Sequence, residues 1–138
     1  IADSVNAILA INGDYYGAQE KGYVETALGR RRYLPELNSS NHQLRAFGER
    51  VARNAPIQGT AADIIKVAMV RVYRRLRAEG LQAKLILQIH DELMVECPRG
   101  EADTVCRLLV EEMEAAADLS VRLEVDAHVG ETWYDAKG

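Results

Sequence analysis

No apolar run in this chain approaches the ~20 residues that a membrane-spanning helix needs. The opening residues do not read as a basic, apolar and small-residue signal sequence. Cysteine is scarce: Cys97 and Cys106 are the only two, they fit no metal-ligand spacing, and they fall on different expected elements. That excludes a zinc ribbon or a disulfide scaffold and leaves buried, reduced thiols of a cytosolic protein as the expectation. Internal repeats and low-complexity tracts are missing, which removes solenoids and linkers. An excess of positive charge is missing too: 17 Lys and Arg stand against 21 Asp and Glu, a net charge of −4. As an average, this weighs against a polyanionic partner.

What is present is the composition of a soluble globular chain. Of its 138 residues 48% are hydrophobic and 28% charged, which suffices for one domain or part of one. The average charge hides an asymmetry. Between Arg30 and Arg77 basic residues far outnumber the acids Glu36, Glu49 and Asp63, while the acids concentrate from Glu92 onward. A basic first half beside an acidic second half suits a site that grips a polyanion and also holds cations.

Read in order, Val5–Ile11 is a helix-like apolar run broken at Asn12–Gly13–Asp14. Gly22–Leu34 is expected to form a hairpin turning near Gly29. Its Arg30, Arg31 and Arg32 fit phosphate contacts and equally a solvated charged turn. Asn41–Asn54 has helical spacing through Leu44, Phe47 and Val51, with Gly48 marking a kink or a close backbone approach. Pro56–Gly59 is expected to break that helix before a longer one, opened by Thr60 and Asp63 as a capping box. The longer helix carries a core stripe of Ile64/Ile65, Ala68, Val72 and Leu76 and ends at Gly80. Arg74, Arg75 and Arg77 in its last turn complement the helix dipole or contact DNA.

After a hairpin over Leu85–Glu96, Glu101–Ala117 is expected as a helix with Val105, Leu108/Leu109, Met113 and Ala116 inward. Its Glu111, Glu112 and Glu114 read as a solvated face. Val121–Val129 alternates like a half-buried strand, with His128 exposed. Trp133 and Tyr134 are expected to pack the tail down. The order predicts an α+β fold: an antiparallel sheet with a catalytic-type β-hairpin, backed by helices.

The hairpin LILQIHDELMVE (Leu85–Glu96) is the chemical candidate. Its turn lacks the Gly or Asn that tight turns favour and carries His90, Asp91 and Glu92 instead. Mg²⁺ takes one or two carboxylates together with substrate phosphates and water, and Asp91 between two strands suits that role, with Glu92 as a second ligand or outer partner. Gln88 and His90, two apart, project to one side, and polar Gln88 interrupts what reads as a buried central strand. An ordinary exposed polar turn is the plain alternative.

Three strings in series, GYVETALGRRRYLPEL, ERVARNAPIQGTAADIIKVAM and LQIHDELMVECP, followed by EVDAHVGETWYDAK, resemble the C-terminal part of bacterial family A DNA polymerases, the DNA polymerase I type. The resemblance covers residues 22–137. It implies that His90–Glu92 is the family's motif C, in a partial palm domain spanning residues 22–138 of a cytoplasmic bacterial enzyme. Asp91 would be one of two aspartates holding paired Mg²⁺ ions about 4 Å apart for nucleotidyl transfer, with Glu92 in support. Arg50, Asn54, Gln58, Gln88 and His90 would line the minor groove of primer–template DNA, where every base pair offers acceptors in similar places.

The family's motifs A and B, with the second aspartate and the nucleotide-binding fingers helix, have no counterpart in this sequence. The fingers, the thumb and the rest of the palm are missing with them. The resemblance therefore implies dNTP and primer–template as ligands of the whole enzyme, and no polymerisation by these residues alone. Faces that elsewhere pack on the absent parts would favour self-association, which makes a non-catalytic structural module the competing reading. Residues 1–21 do not follow the family pattern. AILAINGDYYGAQEKGYV resembles a short stretch of the phosphodiester glycosidase family, which would make the chain a chimera joined near residues 20–24.

Overall fold

The structure is a computed structural model that describes residues 17–137. The expected helical run Val5–Ile11 and its break at residues 12–14 lie outside the described residues. Two compact units divide the chain, Ile1–Asp63 and Ile64–Gly138. None of the helices among the described residues is long and apolar enough to cross a membrane.

In the first unit, the short helix α1 (Ala18–Lys21) leads through Gly22 into strands β1 (Tyr23–Glu25) and β2 (Arg31–Tyr33). They pair antiparallel, Tyr23 opposite Tyr33 and Glu25 opposite Arg31. Gly29 takes a φ of 88° in the connection, a conformation that costs glycine little, so the hairpin turns where its sequence predicts. Arg31 ties the strands: its Nε donates to Glu25 at 2.6 Å and its guanidinium lies 4.3 Å from the centre of the Tyr23 ring. The Glu25 hydrogen bond, first, holds the Arg31 pKa above its ordinary value. A 3₁₀ turn at Pro35–Asn38 follows. Ala18, Val24, Leu34, Leu37 and Ala52 form the core of this unit, with Val51 and Ala55 against it.

Helix α2 (His42–Ala78) corrects the sequence reading. Pro56–Gly59 does not break it; the helix runs through both residues, and the division between the units falls inside it. A proline in a helix interior costs about 3 kcal/mol and a glycine about 1 kcal/mol, so local propensity argued for a break. Tertiary contacts overrule it. The Thr60 hydroxyl donates to the Pro56 carbonyl at 2.6 Å and accepts the Ala27 N–H at 2.8 Å. Thr60 and Asp63 are therefore no capping box but buried side chains of a helix interior, 1% and 9% exposed. Gly48 is a close approach, as its sequence position suggested: a Cβ there would stand 3.1 Å from Glu36 Cβ and 3.1 Å from the Leu37 N.

In the second unit the stripe Ile64, Ile65, Ala68, Val72 and Leu76 is buried as expected. Gly80, with a φ of 64°, ends the helix in a Schellman arrangement: Leu81 N–H donates to Leu76 O and Gly80 N–H to Arg77 O. Helix α3 (Ala102–Glu114) buries Val105, Leu108 and Met113. Its glutamates are not a merely solvated face. Arg75 binds Glu79, Glu111 and Glu112, and Arg71 binds Glu112 at 2.9 Å. Bonds to Glu111 first, then Glu79 and Glu112, raise the Arg75 pKa.

Strands β3 (Lys84–Ile89) and β4 (Glu92–Glu96) pair antiparallel as a two-stranded sheet, with a bulge between Leu85 and Leu87. At the base of this hairpin Glu101 accepts from Gln82 N–H and Ala83 N–H, both at 3.0 Å. Val121–Val129 is not a strand, because no ladder partner runs beside it among the described residues. Its alternation is realised in part: Leu123 is buried, while Val129 is 63% exposed. Trp133 and Tyr134 do not pack the tail down; they are 46% and 86% exposed on the short helix α4 (Trp133–Ala136), which Thr132 and Asp135 cap reciprocally.

Replacing Gly48 with alanine separates propensity from packing. Helix propensity alone favours alanine by about 1 kcal/mol, whereas forcing atoms into a filled space costs about 1–3 kcal/mol. We expect Gly48→Ala to lower stability in urea unfolding; a gain would contradict the close approach to Glu36 and Leu37.

Candidate functional site

Gln88, His90, Asp91 and Glu92 come together at the tip of the β3–β4 hairpin. Ile89 pairs with Glu92, so the loop proper is two residues, His90 and Asp91. The first position of such a loop takes a positive φ in both favoured hairpin turns, normally supplied by Gly or Asn. Here His90 takes it, with a φ of 51°, and among the described residues it is the one non-glycine with positive φ. The unusual turn composition read from sequence thus corresponds to a strained backbone, the kind that recurs at functional positions. Gln88 steadies the loop: its Nε2 donates to the His90 carbonyl at 2.7 Å.

The expectation that Gln88 interrupts a buried central strand is corrected. Gln88 is exposed, and the sheet has no strand beyond β3 and β4 among the described residues. Ile86 and Leu87 beside it are 51% and 39% exposed. A polar side chain on such a strand carries no burial penalty, so its presence there is no signal of function by itself.

Asp91 and Glu92 are exposed, and neither carboxylate has a hydrogen bond or ion pair among the described residues. Their oxygens suit a hard divalent cation, which keeps several waters and substrate oxygens when one or two carboxylates hold it. Among the described residues no three of His, Cys, Asp and Glu gather as a metal-ligand set. By their chemistry, these two carboxylates would meet only part of such an ion's coordination.

Arg50, Asn54 and Gln58 lie in the first unit, four residues apart on α2, and so form one stripe along one face of the helix. All three are exposed and none bonds to another side chain among the described residues. Such a stripe presents one guanidinium and two amides as unspent donors. Of the arginines of the β1–β2 hairpin, two are committed. Arg30 Nε binds Asp63 at 2.8 Å and its Nη2 reaches the Gly59 carbonyl at 3.4 Å, while Arg31 is held by Glu25; Arg32 is exposed.

Sequence reading missed the group that surrounds Gln58. Thr26 Oγ1 donates to Asp63 at 2.7 Å, beside the Arg30 bond and the Ala27 bond to Thr60. Gly59 makes this approach possible, since a Cβ there would lie 2.7 Å from Thr26 Cγ2. These contacts join residues more than thirty positions apart, and the only local hint was a Thr60–Asp63 pair that imitates a cap. Cys97 and Cys106 are free and half-buried, not fully buried. Burial pushes both thiols above their ordinary range.

A family model described as DNA polymerase family A matches residues 12–135. DNA polymerase I of Bacillus caldotenax is 58% identical over 120 residues, which are 87% of this chain and 14% of that protein. The thermostable DNA polymerase I of Thermus thermophilus is 50% identical over the same shares of the two chains. A solved structure, the POL domain of Pol1 from M. smegmatis in complex with DNA primer-template and dNTP, superposes with a TM-score of 0.87 at 49% identity. The match covers 90% of this chain and 22% of that one. The family match begins ten residues ahead of Gly22, so residues 12–21, set apart on sequence alone, lie within it.

Two outcomes are expected at these residues. His90→Gly removes a positive-φ penalty of about 1–2 kcal/mol against a glycine entropy cost of about 0.5–1 kcal/mol. The variant should therefore unfold at higher denaturant than the parent, and a loss would contradict the strained loop. The two thiols, raised in the folded chain, add stability that is full below the ordinary thiol pKa of about 8.5. That stability falls as pH rises through the folded values. Alkylation by iodoacetamide should accordingly be slower for the folded chain than for the unfolded chain near neutral pH; equal rates would refute the burial effect.

Proposed function

Since the chain belongs to DNA polymerase family A, we propose that it forms part of the palm of a template-directed DNA polymerase, over residues 22–138, in a bacterial cytoplasm. The chain spans 14% of the length of its relatives from Bacillus caldotenax and Thermus thermophilus, so the whole enzyme's chemistry needs residues beyond these. The observation that carries the reading is an exposed Asp91–Glu92 pair where a strained two-residue loop enters β4, in a chain of this family.

In this reading Asp91 is a metal ligand and Glu92 supports it. Bound Mg²⁺ supplies positive charge that polarises phosphoryl oxygens. What the chain itself contributes is placement: two strands and the Gln88 bond to the His90 carbonyl fix where the Asp91 carboxylate stands. Arg50, Asn54 and Gln58 donate to minor-groove acceptors of primer–template DNA from one helix face, and Gln88 and His90 do so from the hairpin. Donors of this kind sense the shape of a base pair without reading its identity, because purine N3 and pyrimidine O2 sit alike in every pair. With half a metal-ligand set, the 138 residues do not extend a primer unaided.

A second reading is a self-associating module that keeps the fold without the chemistry. Its support is the exposed apolar surface at Ile86, Leu87, Val129 and Tyr134.

Titration of a labelled primer–template duplex, followed by fluorescence anisotropy at two salt concentrations, separates the two. The palm reading expects binding that weakens as salt rises, through release of counterions. It also expects a several-fold further loss in an Asn54→Ala/Gln58→Ala double variant. Concentration-dependent oligomers with no DNA affinity would instead favour the structural module, and incorporation of nucleotide by the chain alone would refute its proposed dependence on further residues.

A further inference from the structure

Gln58 sits at the weakest point of α2. Pro56 two residues before it offers no N–H to the helix, and Gly59 one residue after it is the poorest helix former apart from proline. Left alone, this stretch would fray or bend, and the donors of Gln58 and Asn54 would wander with it. Among the described residues, hydrogen bonds from the connection between β1 and β2 counter this. Ala27 N–H holds the Thr60 hydroxyl, which holds the Pro56 carbonyl. Arg30 reaches the Gly59 carbonyl and Asp63, and Thr26 reaches Asp63 from the other side. The bonds bracket Gln58 while leaving its own side chain exposed and unspent.

We propose that the β1–β2 hairpin is a splint for α2, with Thr26, Arg30, Thr60 and Asp63 as positioning residues that hold Gln58 and Asn54 in register for a duplex minor groove. The role in DNA contact rests on the reading given under the proposed function; the splint itself does not. Two features argue for a dedicated device over ordinary packing. The contacts of the connection are directional hydrogen bonds to one helix hydroxyl, one helix carbonyl and one carboxylate, in addition to the apolar packing of Val24 and Leu34 with Ala52. The hairpin can approach closely enough to make them because residue 59 has no Cβ; one there would stand 2.7 Å from Thr26 Cγ2.

The test uses residue-resolved hydrogen exchange on the full chain, with duplex binding in parallel. Thr60→Val keeps the shape and removes the hydroxyl, whereas Thr60→Ser keeps it. The splint expects amides of residues 57–63 to exchange roughly tenfold faster in Thr60→Val, the order of one lost buried hydrogen bond. Thr60→Ser should restore slow exchange, and α3 amides should not change. It further expects Thr60→Val to weaken duplex binding several-fold, with no additional loss on combination with Gln58→Ala. Thr26→Val, at a less buried site, repeats the test from the hairpin side should Thr60→Val fail to fold. Unchanged exchange in residues 57–63 would overturn the splint. Gln58-dependent binding that survives Thr60→Val would overturn the positioning role and leave the DNA reading standing. Absence of binding by the parent chain would remove the DNA reading, and the exchange comparison would still decide the splint.

Discussion

The first compact unit depends on how two buried polar side chains of one helix, Thr60 and Asp63, are satisfied. A hydroxyl or a carboxylate removed from water without partners costs several kcal/mol, on the order of 2–7 for the hydroxyl and more for the charge. Their own helix answers only the Thr60 O–H, through the Pro56 carbonyl; its N–H groups are already engaged, so the remaining bonds must come from elsewhere. The partners are Ala27 N–H, Thr26 Oγ1 and Arg30 Nε, all from the connection between β1 and β2. Once that connection must lie on the helix, the rest follows. Residue 59 has to lack a side chain, and the strands leading to and from the connection bring Val24 and Leu34 into a core with Leu37 and Ala52. A two-stranded hairpin is marginal by itself, so its docking and the continuity of the helix support each other.

The second unit solves a different problem. Its chemically interesting groups, Asp91 and Glu92, are charged and exposed, so water stabilises them and nothing in the chain needs to. What the fold must supply is position. It does so through backbone: a two-residue loop with a positive φ at His90, the Gln88 amide on the His90 carbonyl, and Glu101 holding two N–H groups where the hairpin begins. Ion pairs of Arg71 and Arg75 with Glu111 and Glu112 tie α3 to the last turns of α2. Only Glu112 among these is well shielded from solvent, so it is the pairs on Glu112 that resist salt screening best.

Legibility differed sharply between elements. The β1–β2 hairpin, the stripe Ile64–Leu76, the Gly80 cap, the β3–β4 hairpin and α3 were all readable, because period, turn residues and caps act over a few positions. Pro56–Gly59 and Val121–Val129 were misread for opposite reasons. In the first, a strong local signal for a break is overruled by hydrogen bonds from thirty residues away. In the second, a sound alternation has no neighbouring strand among the described residues, and a strand exists only through its ladder. Trp133 and Tyr134 failed similarly: aromatic character favours burial, but nothing in a short tail says what would cover it.

By itself the sequence determined which residue types could do chemistry and where along the chain they fall: the His90–Glu92 loop, the stripe Arg50, Asn54 and Gln58, and the family to which such strings belong. Those are properties of order and spacing, and order and spacing are what a sequence is. Tertiary structure alone decided that the helix bearing Gln58 is unbroken, that Arg30 and Arg31 are engaged within the chain, and that Gln88 braces a loop instead of lying in a buried strand. Each of those outcomes is a choice among partners for a polar group, and the partner is selected by proximity in space, which spacing along the chain does not encode.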